Sequence, residues 1–190
     1  MPSHFLLNKP YGYLSQFTNN GPKKGRKKLL GELYDFPEGT MAIGRLDEPS
    51  EGLLLLTTDG KMSERVRSKK VEKEYYAQVD GLIDQEAIEK LCKGVEIGIN
   101  GKKYLTKPCK AEQISAPAIP TRSQKIRDER HGPTSWVSIT LTEGKFRQVR
   151  KMTAAVGFPT LRLVRWRIGG LSLQELKSGE VMELEDIVLE

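Results

Sequence analysis

Gly44-Arg45-Leu46-Asp47-Glu48-Pro49-Ser50-Glu51-Gly52-Leu53-Leu54-Leu55-Leu56-Thr57 is the stretch on which the reading of the fold turns. Leu53 to Leu56 is the longest apolar run in the chain, and its length suits a buried strand better than a helix. Before it the chain turns through charged residues with Gly44 and Gly52 at the two sides, and Met41 to Ile43 reads as a short strand entering that turn. A charged turn held by two strands is where a fixed side chain can face a cleft. Asp47, Glu48 and Glu51 are close enough in sequence to suggest Mg2+. They are interleaved with Arg45 and Pro49, however, whereas hard-cation sites pair carboxylates with open substrate positions. An ordinary acidic turn is the plainer reading, and no metal is expected.

Working outward, His4 to Asn8 reads as a strand and Lys9 to Lys28 as a long polar loop punctuated by Pro and Gly. Leu29 to Tyr34 suggests a helical turn. Thr58 is placed to cap a helix running to about Arg67. Lys73 to Asp80 is strand-like. Asp84 caps a helix to Lys93 whose Ala87, Ile88 and Leu91 make one apolar face. Pro108 to Ile114 looks extended, and Ser115 to Pro133 is a connector or surface loop. Ser135 to Leu141 alternates, with Val137, Ile139 and Leu141 on one side. Phe146 to Val156 is helical, with Gly157 as its C-cap. Thr160 to Ile168 and Val181 to Leu189 are the last strands. Strands outnumber helices and do not alternate with them, so the class is α+β with a mixed or antiparallel sheet.

The 190 residues suffice for one domain or two small packed lobes, and 37% apolar content is enough for a core. Mean hydropathy is -0.48, and no run approaches a membrane span. Residues 1–8 lack the pattern of a signal peptide. With only Cys92 and Cys109 and no C-x-x-C pair, a disulfide scaffold or zinc knuckle is not expected, and a cytoplasmic home fits. The net charge of +6 is concentrated: residues 143–170 hold seven Lys and Arg against Glu143 alone. Lys23, Lys24, Arg26, Lys27 and Lys28 form a second basic knot. Grouped basic charge beside Gly, Asn and Pro is the footprint of phosphate-backbone contact, although short basic runs are also common solvated surface.

Two further segments carry candidate chemistry. In Lys73-Glu74-Tyr75-Tyr76-Ala77-Gln78-Val79, strand alternation puts Tyr75 with Ala77 and Val79 and sends Tyr76 and Gln78 to the other face, so one tyrosine at most looks into a given cleft. In Glu143-Gly144-Lys145-Phe146-Arg147-Gln148-Val149-Arg150-Lys151-Met152, a helix places Phe146, Val149, Met152, Thr153 and Val156 on one side. It aligns Arg147, Arg150 and Lys151 on another, where they can hold phosphate or pair with a carboxylate. His4 and His131 have no partner spacing for a metal or a triad. Neither glycine-rich nucleotide fingerprint occurs, so nucleotide-cofactor chemistry has no support.

Taken as a set, these segments resemble the small ribosomal RNA pseudouridine synthases. Gly44 to Asp47 with Ser50 to Thr57 is similar to the catalytic motif, Asn8-Lys9-Pro10 with Gly12 to the opening motif, Lys73-x-Tyr75 to the tyrosine motif, and Glu143 to Met152 to the basic motif. Pro133-Thr134-Ser135-Trp136 and Gly157 to Leu163 most resemble the type E, large-subunit branch. The likeness spans nearly the whole chain. It implies the pseudouridine synthase fold, a largely antiparallel mixed sheet with flanking helices and a central catalytic cleft. It also implies a single catalytic domain over residues 1–190, made of two packed lobes with no separate N-terminal RNA-binding domain.

The activity the resemblance implies is isomerisation of one uridine in large-subunit (23S) ribosomal RNA, without cofactor, by a monomer with no membrane or small-molecule partner. The N1–C1′ bond breaks, the uracil turns, and C5 joins C1′. Asp47 matches the catalytic aspartate, either adding to C1′ or removing the C2′ proton; both roles need an ionised, positioned carboxylate. Arg150 matches the arginine that pairs with it. Tyr75 matches the tyrosine that packs against uracil. Arg45 matches the arginine that fills the base stack when the target leaves its helix. Leu54 and Leu55 would anchor the catalytic loop. Lys9, Lys24, Arg147 and Lys151 are the expected backbone contacts. Two other classes fit part of the pattern: a non-catalytic RNA-binding or assembly factor, and a metal-dependent nuclease using Asp47, Glu48 and Glu51.

Overall fold

The structure is a computed structural model that describes residues 1–19, 21 and 25–190. It contains two compact units, Met1–Lys70 with Ile168–Glu190, and Val71–Arg167. The first unit opens with β1 (His4–Lys9), β2 (Met41–Ile43), β3 (Glu51–Thr57) and α1 (Gly60–Ser68). All seven residues of β3 are buried, so the leucine run is a strand covered on both faces. It pairs antiparallel with β1 (Leu7 opposite Leu54, Leu6 opposite Leu55) and with β2 (Ile43 opposite Leu55). On one face Phe5, Leu7, Leu54 and Leu56 pack with Leu30, and Phe17 and Phe36 close the cluster with edge-on rings. Alternation turns Leu53 and Leu55 to the other face, also fully buried. Leu30 sits in a single 3-10 turn, Leu30–Glu32, where a helical turn was expected.

The second unit contains β4 (Lys73–Asp80), α2 (Gln85–Lys93), β5 (Glu96–Ile99), β6 (Lys102–Leu105), β7 (Lys110–Ile114), β8 (Thr134–Leu141), α3 (Gln148–Ala155) and β9 (Thr160–Ile168). Its strand order is β9-β4-β8-β7, and β4 and β8 pair antiparallel from Lys73–Leu141 to Asp80–Thr134. Ala77 and Val79 from β4, with Val137, Ile139 and Leu141 from β8, face Ile88 and Leu91 of α2 and Val149 and Met152 of α3 in one core. The chain then returns to the first unit with β10 (Leu171–Ser172) and β11 (Val181–Leu184), the latter antiparallel to β1. Every strand register described is antiparallel, and the class is α+β, as the sequence implies.

The differences from the sequence reading are local. Asp59, not Thr58, caps α1, accepting from the Lys61 N–H at 2.9 Å. Asp84 caps α2 as expected, accepting from the Ala87 N–H at 2.8 Å. The β5–β6 hairpin was not read from the sequence. Its turn is Asn100-Gly101, both at positive φ (50° and 75°), the geometry for which that dipeptide is favoured. The helix expected from Phe146 begins only at Gln148, because Arg147 is left-handed at φ 52°, ψ 34°. Phe146, read on one side of the helix with Val149 and Met152, lies before the helix and is 55% exposed while those two are buried. The last strand ends at Leu184 rather than Leu189.

Candidate active site

In the first unit, the turn between β2 and β3 carries Arg45 and Asp47. Its backbone is bonded at Leu46, Asp47 and Glu48. Ser15 is buried and its hydroxyl both accepts from the Leu46 N–H at 3.0 Å and donates to the Leu46 carbonyl at 2.8 Å. The Ser50 N–H donates to the Asp47 carbonyl at 2.9 Å, closing the turn. Lys9 is completely buried, and its ammonium donates to the carbonyls of Pro10 (2.8 Å), Tyr13 (2.7 Å) and Glu48 (3.4 Å). This corrects the expectation that Lys9 meets RNA: it is a strut that ties the opening loop to the Asp47 turn. The Gly12 N–H adds a bond to the Glu48 carbonyl at 2.8 Å. The result is a half-buried Asp47 and an exposed Arg45 on a turn whose backbone is fixed on both sides.

Glu48 faces Lys27, at 3.0 and 3.2 Å from its two oxygens. Among the described residues no three His, Cys, Asp or Glu side chains converge as a metal site would require. Lys24 lies outside the described residues.

In the second unit, Tyr75 projects from β4 on the same face as Ala77 and Val79 and packs against the core that also holds Val149 and Met152 of α3. The strand therefore brings Tyr75 and the helix bearing Arg150 onto one core. Tyr76 faces the opposite way and stacks on Trp166, ring centroids 5.4 Å apart. Burial pulls the Lys73 ammonium below its ordinary range, and the nearby Arg165 cation pulls it further. Arg165 and Arg162 on β9 are themselves buried. The sequence reading counted them as charge without a role, within the strand it read from Thr160 to Ile168.

The start of α3 is built by Glu143. Its carboxylate accepts from the Tyr104 hydroxyl, from the Lys107 N–H at 2.9 Å and from Gln148 Nε2 at 2.7 Å. Partial burial opposes ionisation of Glu143, but these hydrogen bonds outweigh it and hold the carboxyl below its ordinary range. Gln148 is buried, and its carbonyl oxygen accepts from the Lys145 N–H at 3.0 Å. This network joins Glu143, the Lys145 backbone and Gln148 around the left-handed Arg147. Arg147 is exposed just before the helix, so it does not continue the row formed by Arg150 and Lys151. The Lys151 ammonium donates to the Gly98 carbonyl at 2.8 Å and lies 5.1 Å from the centre of the Phe146 ring. The sequence reading gave Glu143 and Gln148, both inside the basic motif, no role of their own; the structure joins them in the network at the start of α3.

Comparison with known proteins adds a family. A family profile described as RNA pseudouridylate synthase matches residues 3–155. A protein of Vibrio parahaemolyticus named ribosomal large subunit pseudouridine synthase E is 44% identical over 182 residues, covering 95% of this chain and 73% of the relative. One of the same name from Xanthomonas campestris pv. campestris is 43% identical over 178 residues, covering 92% of this chain and 91% of the relative. A crystal structure titled as a pseudouridylate synthase superposes with a TM-score of 0.75 at 30% identity, covering 97% of this chain and 70% of the other.

Proposed function

The chain belongs to the RNA pseudouridylate synthase family, and from that premise we propose that it converts one uridine of large-subunit ribosomal RNA to pseudouridine, with Asp47 as the reacting carboxylate. The observation that carries the assignment of Asp47 is the clamped turn. Ser15 and Lys9 hold the backbone around residues 46–48 while the Asp47 side chain stays half-buried. A reacting carboxylate gains from such fixation, because positioning removes entropy from the barrier before the reaction begins.

The reaction exchanges one bond for another. The N1–C1′ bond breaks, the detached uracil rotates within the site, and C5 bonds to C1′. The proton on C5 then leaves and N1 gains one, so the base keeps its composition. Asp47 serves as nucleophile toward C1′ or as base toward the C2′ proton. Arg150 is the residue the family motif assigns to pair with that carboxylate, and Tyr75 the one it assigns to pack against the uracil. Arg45, exposed beside Asp47, enters the space the flipped base leaves, where a planar guanidinium stacks well. Arg147 contacts phosphate. Lys151 lends charge from a fixed position on Gly98, and Lys9 acts beneath the turn. The large-subunit substrate is supported by the names of the relatives that are 43–44% identical over more than nine-tenths of this chain.

Nucleotide-resolution pseudouridine mapping of ribosomal RNA from cells with and without this chain tests the proposal. One large-subunit uridine is expected to lose its modification and to regain it on complementation. An unchanged map would refute the substrate assignment.

A further inference from the structure

The basic motif of the second unit holds one side chain that its charges do not explain. Lys145, Phe146 and Arg147 are exposed in succession, and Phe146 keeps 55% of its surface in water although Val149 and Met152, three and six residues on, are buried. The ring does not sit on a loose loop. The Lys145 N–H donates to Gln148 Oε1 at 3.0 Å, and the Lys145 carbonyl accepts from the Gln148 N–H at 3.1 Å. The Arg147 carbonyl accepts from the Lys151 N–H at 3.0 Å. Both chain neighbours of Phe146 are therefore bonded to the start of α3, and the ring stands out from an anchored backbone.

Its surroundings are cationic and open. The Lys151 ammonium lies 5.1 Å from the centre of the Phe146 ring and donates to the Gly98 carbonyl at 2.8 Å, which fixes the cation against the ring. The Lys145 ammonium lies 5.0 Å from the centre of the Tyr104 ring. The acids of this region are committed elsewhere: Glu143 to Tyr104, Lys107 and Gln148, and Glu96 to Lys103 at 3.4 Å. A Cβ on Gly144 would meet nothing within 4 Å, so the chain just before the ring is uncrowded. A lysine against one face of an aromatic ring leaves the other face for a planar partner. Exposed rings set among cations suit unpaired nucleotides, because the ring stacks a base of any sequence and the cations take the flanking phosphates. An apolar protein partner would have to desolvate those cations, whereas RNA supplies the phosphates they attract.

We propose that Phe146 stacks on one unpaired base of the substrate RNA other than the target uridine, on the ring face away from Lys151, with Lys145 and Arg147 toward the flanking phosphates. The platform thereby selects RNA that splays a nucleotide at a fixed offset from the target, read by stacking rather than by hydrogen bonds. The inference rests on the reading of this chain as an RNA-modifying enzyme.

The test measures Kd and pseudouridine formation for wild type, Phe146→Leu, Phe146→Trp and Lys145→Ala on a synthetic RNA centred on the uridine identified by mapping, and on a series of the same RNA made abasic at one position at a time. All three variants change exposed side chains and leave the core intact. Phe146→Leu is expected to weaken binding about tenfold, the worth of one base stack, with no change in the slope of log Kd against log salt. Phe146→Trp, which restores a π face, is expected to bind at least as tightly as wild type. Lys145→Ala is expected to weaken binding about threefold and to reduce the slope by about one. One abasic position is expected to weaken wild type about tenfold and to add nothing in Phe146→Leu. Wild-type affinity in Phe146→Leu, failure of Phe146→Trp to bind, or fully additive effects at every abasic position would overturn the platform while wild-type turnover stands. Unchanged affinity of Phe146→Leu for the naked RNA with weakened binding to large-subunit particles would assign the ring to a protein and overturn it as well. A wild type that binds this RNA but makes no pseudouridine in it would overturn the functional reading, and the platform's role with it.

Discussion

Replacing Glu143 removes the acceptor on which the start of α3 is built, and the cost can be worked from its three partners. The carboxylate takes the Tyr104 hydroxyl on one oxygen, and the Lys107 N–H and Gln148 Nε2 on the other. Hydrogen bonds to a charged group contribute about 1.5–3 kcal/mol each, and partial exposure of this one discounts the sum, so Glu143→Ala is expected to cost about 2–3 kcal/mol. For a chain of this length that lowers Tm by roughly 4–12 °C. Glu143→Gln keeps an oxygen for Lys107 and Gln148 and turns an amide toward the Tyr104 hydroxyl, so it is expected to lose only about 1 kcal/mol.

The same network ties down Gln148 at the first turn of α3, beside Arg147, so activity is expected to follow stability. Release of tritium from C5 of labelled uridine in RNA is expected to fall at least tenfold in kcat/KM for Ala and less than threefold for Gln. The pH dependence has a definite sign. The folded state holds the Glu143 carboxyl below its ordinary range, so its contribution is complete above the unfolded value near 4.3 and is lost as pH falls through the folded value. The stability gap between wild type and Glu143→Gln is therefore expected to shrink below about pH 4. An Ala variant with wild-type Tm and turnover would refute the role assigned to this clamp.

Leu91→Ala, which empties a fully buried site between α2 and the sheet, is expected to cost about 3 kcal/mol in chemical denaturation; a loss under about 1 kcal/mol would contradict the core described. Arg147→Gly relieves a left-handed backbone and is expected to raise stability by about 1 kcal/mol while reducing the slope of log RNA affinity against log salt by about one. A variant that gains no stability, or keeps the slope, fails that expectation. Burial, then the neighbouring Cys92, pushes the Cys109 thiol up to about 11, so it stays protonated at pH 8 and is expected to resist iodoacetamide; rapid labelling at Cys109 would contradict this.

Local signals in the sequence were reliable where burial and periodicity agree. The alternation of Val137, Ile139 and Leu141 and the cap at Asp84 appear in the structure as read. The β5–β6 hairpin was hidden because Gly98, Lys102 and Lys103 dilute the alternation, leaving Asn100-Gly101 as its one strong mark. The delayed start of α3 was not legible, since helical periodicity continues through Arg147 while its backbone is left-handed. Lys9 was misread for a related reason: a lysine in a polar loop looks solvated, and its burial depends on three carbonyls brought to it by folding. The Asp47 turn was legible as a fixed loop between strands, while its supports at Ser15 and Lys9 were not.

The central claim is tested most directly by incubating purified wild type and Asp47→Asn with a large-subunit ribosomal RNA transcript, mapping pseudouridine at nucleotide resolution and measuring RNA affinity in parallel. The account predicts a single new pseudouridine with wild type, none with Asp47→Asn, and affinities within about threefold of each other, since one half-buried carboxylate contributes little to backbone binding. Normal turnover by Asp47→Asn would contradict it.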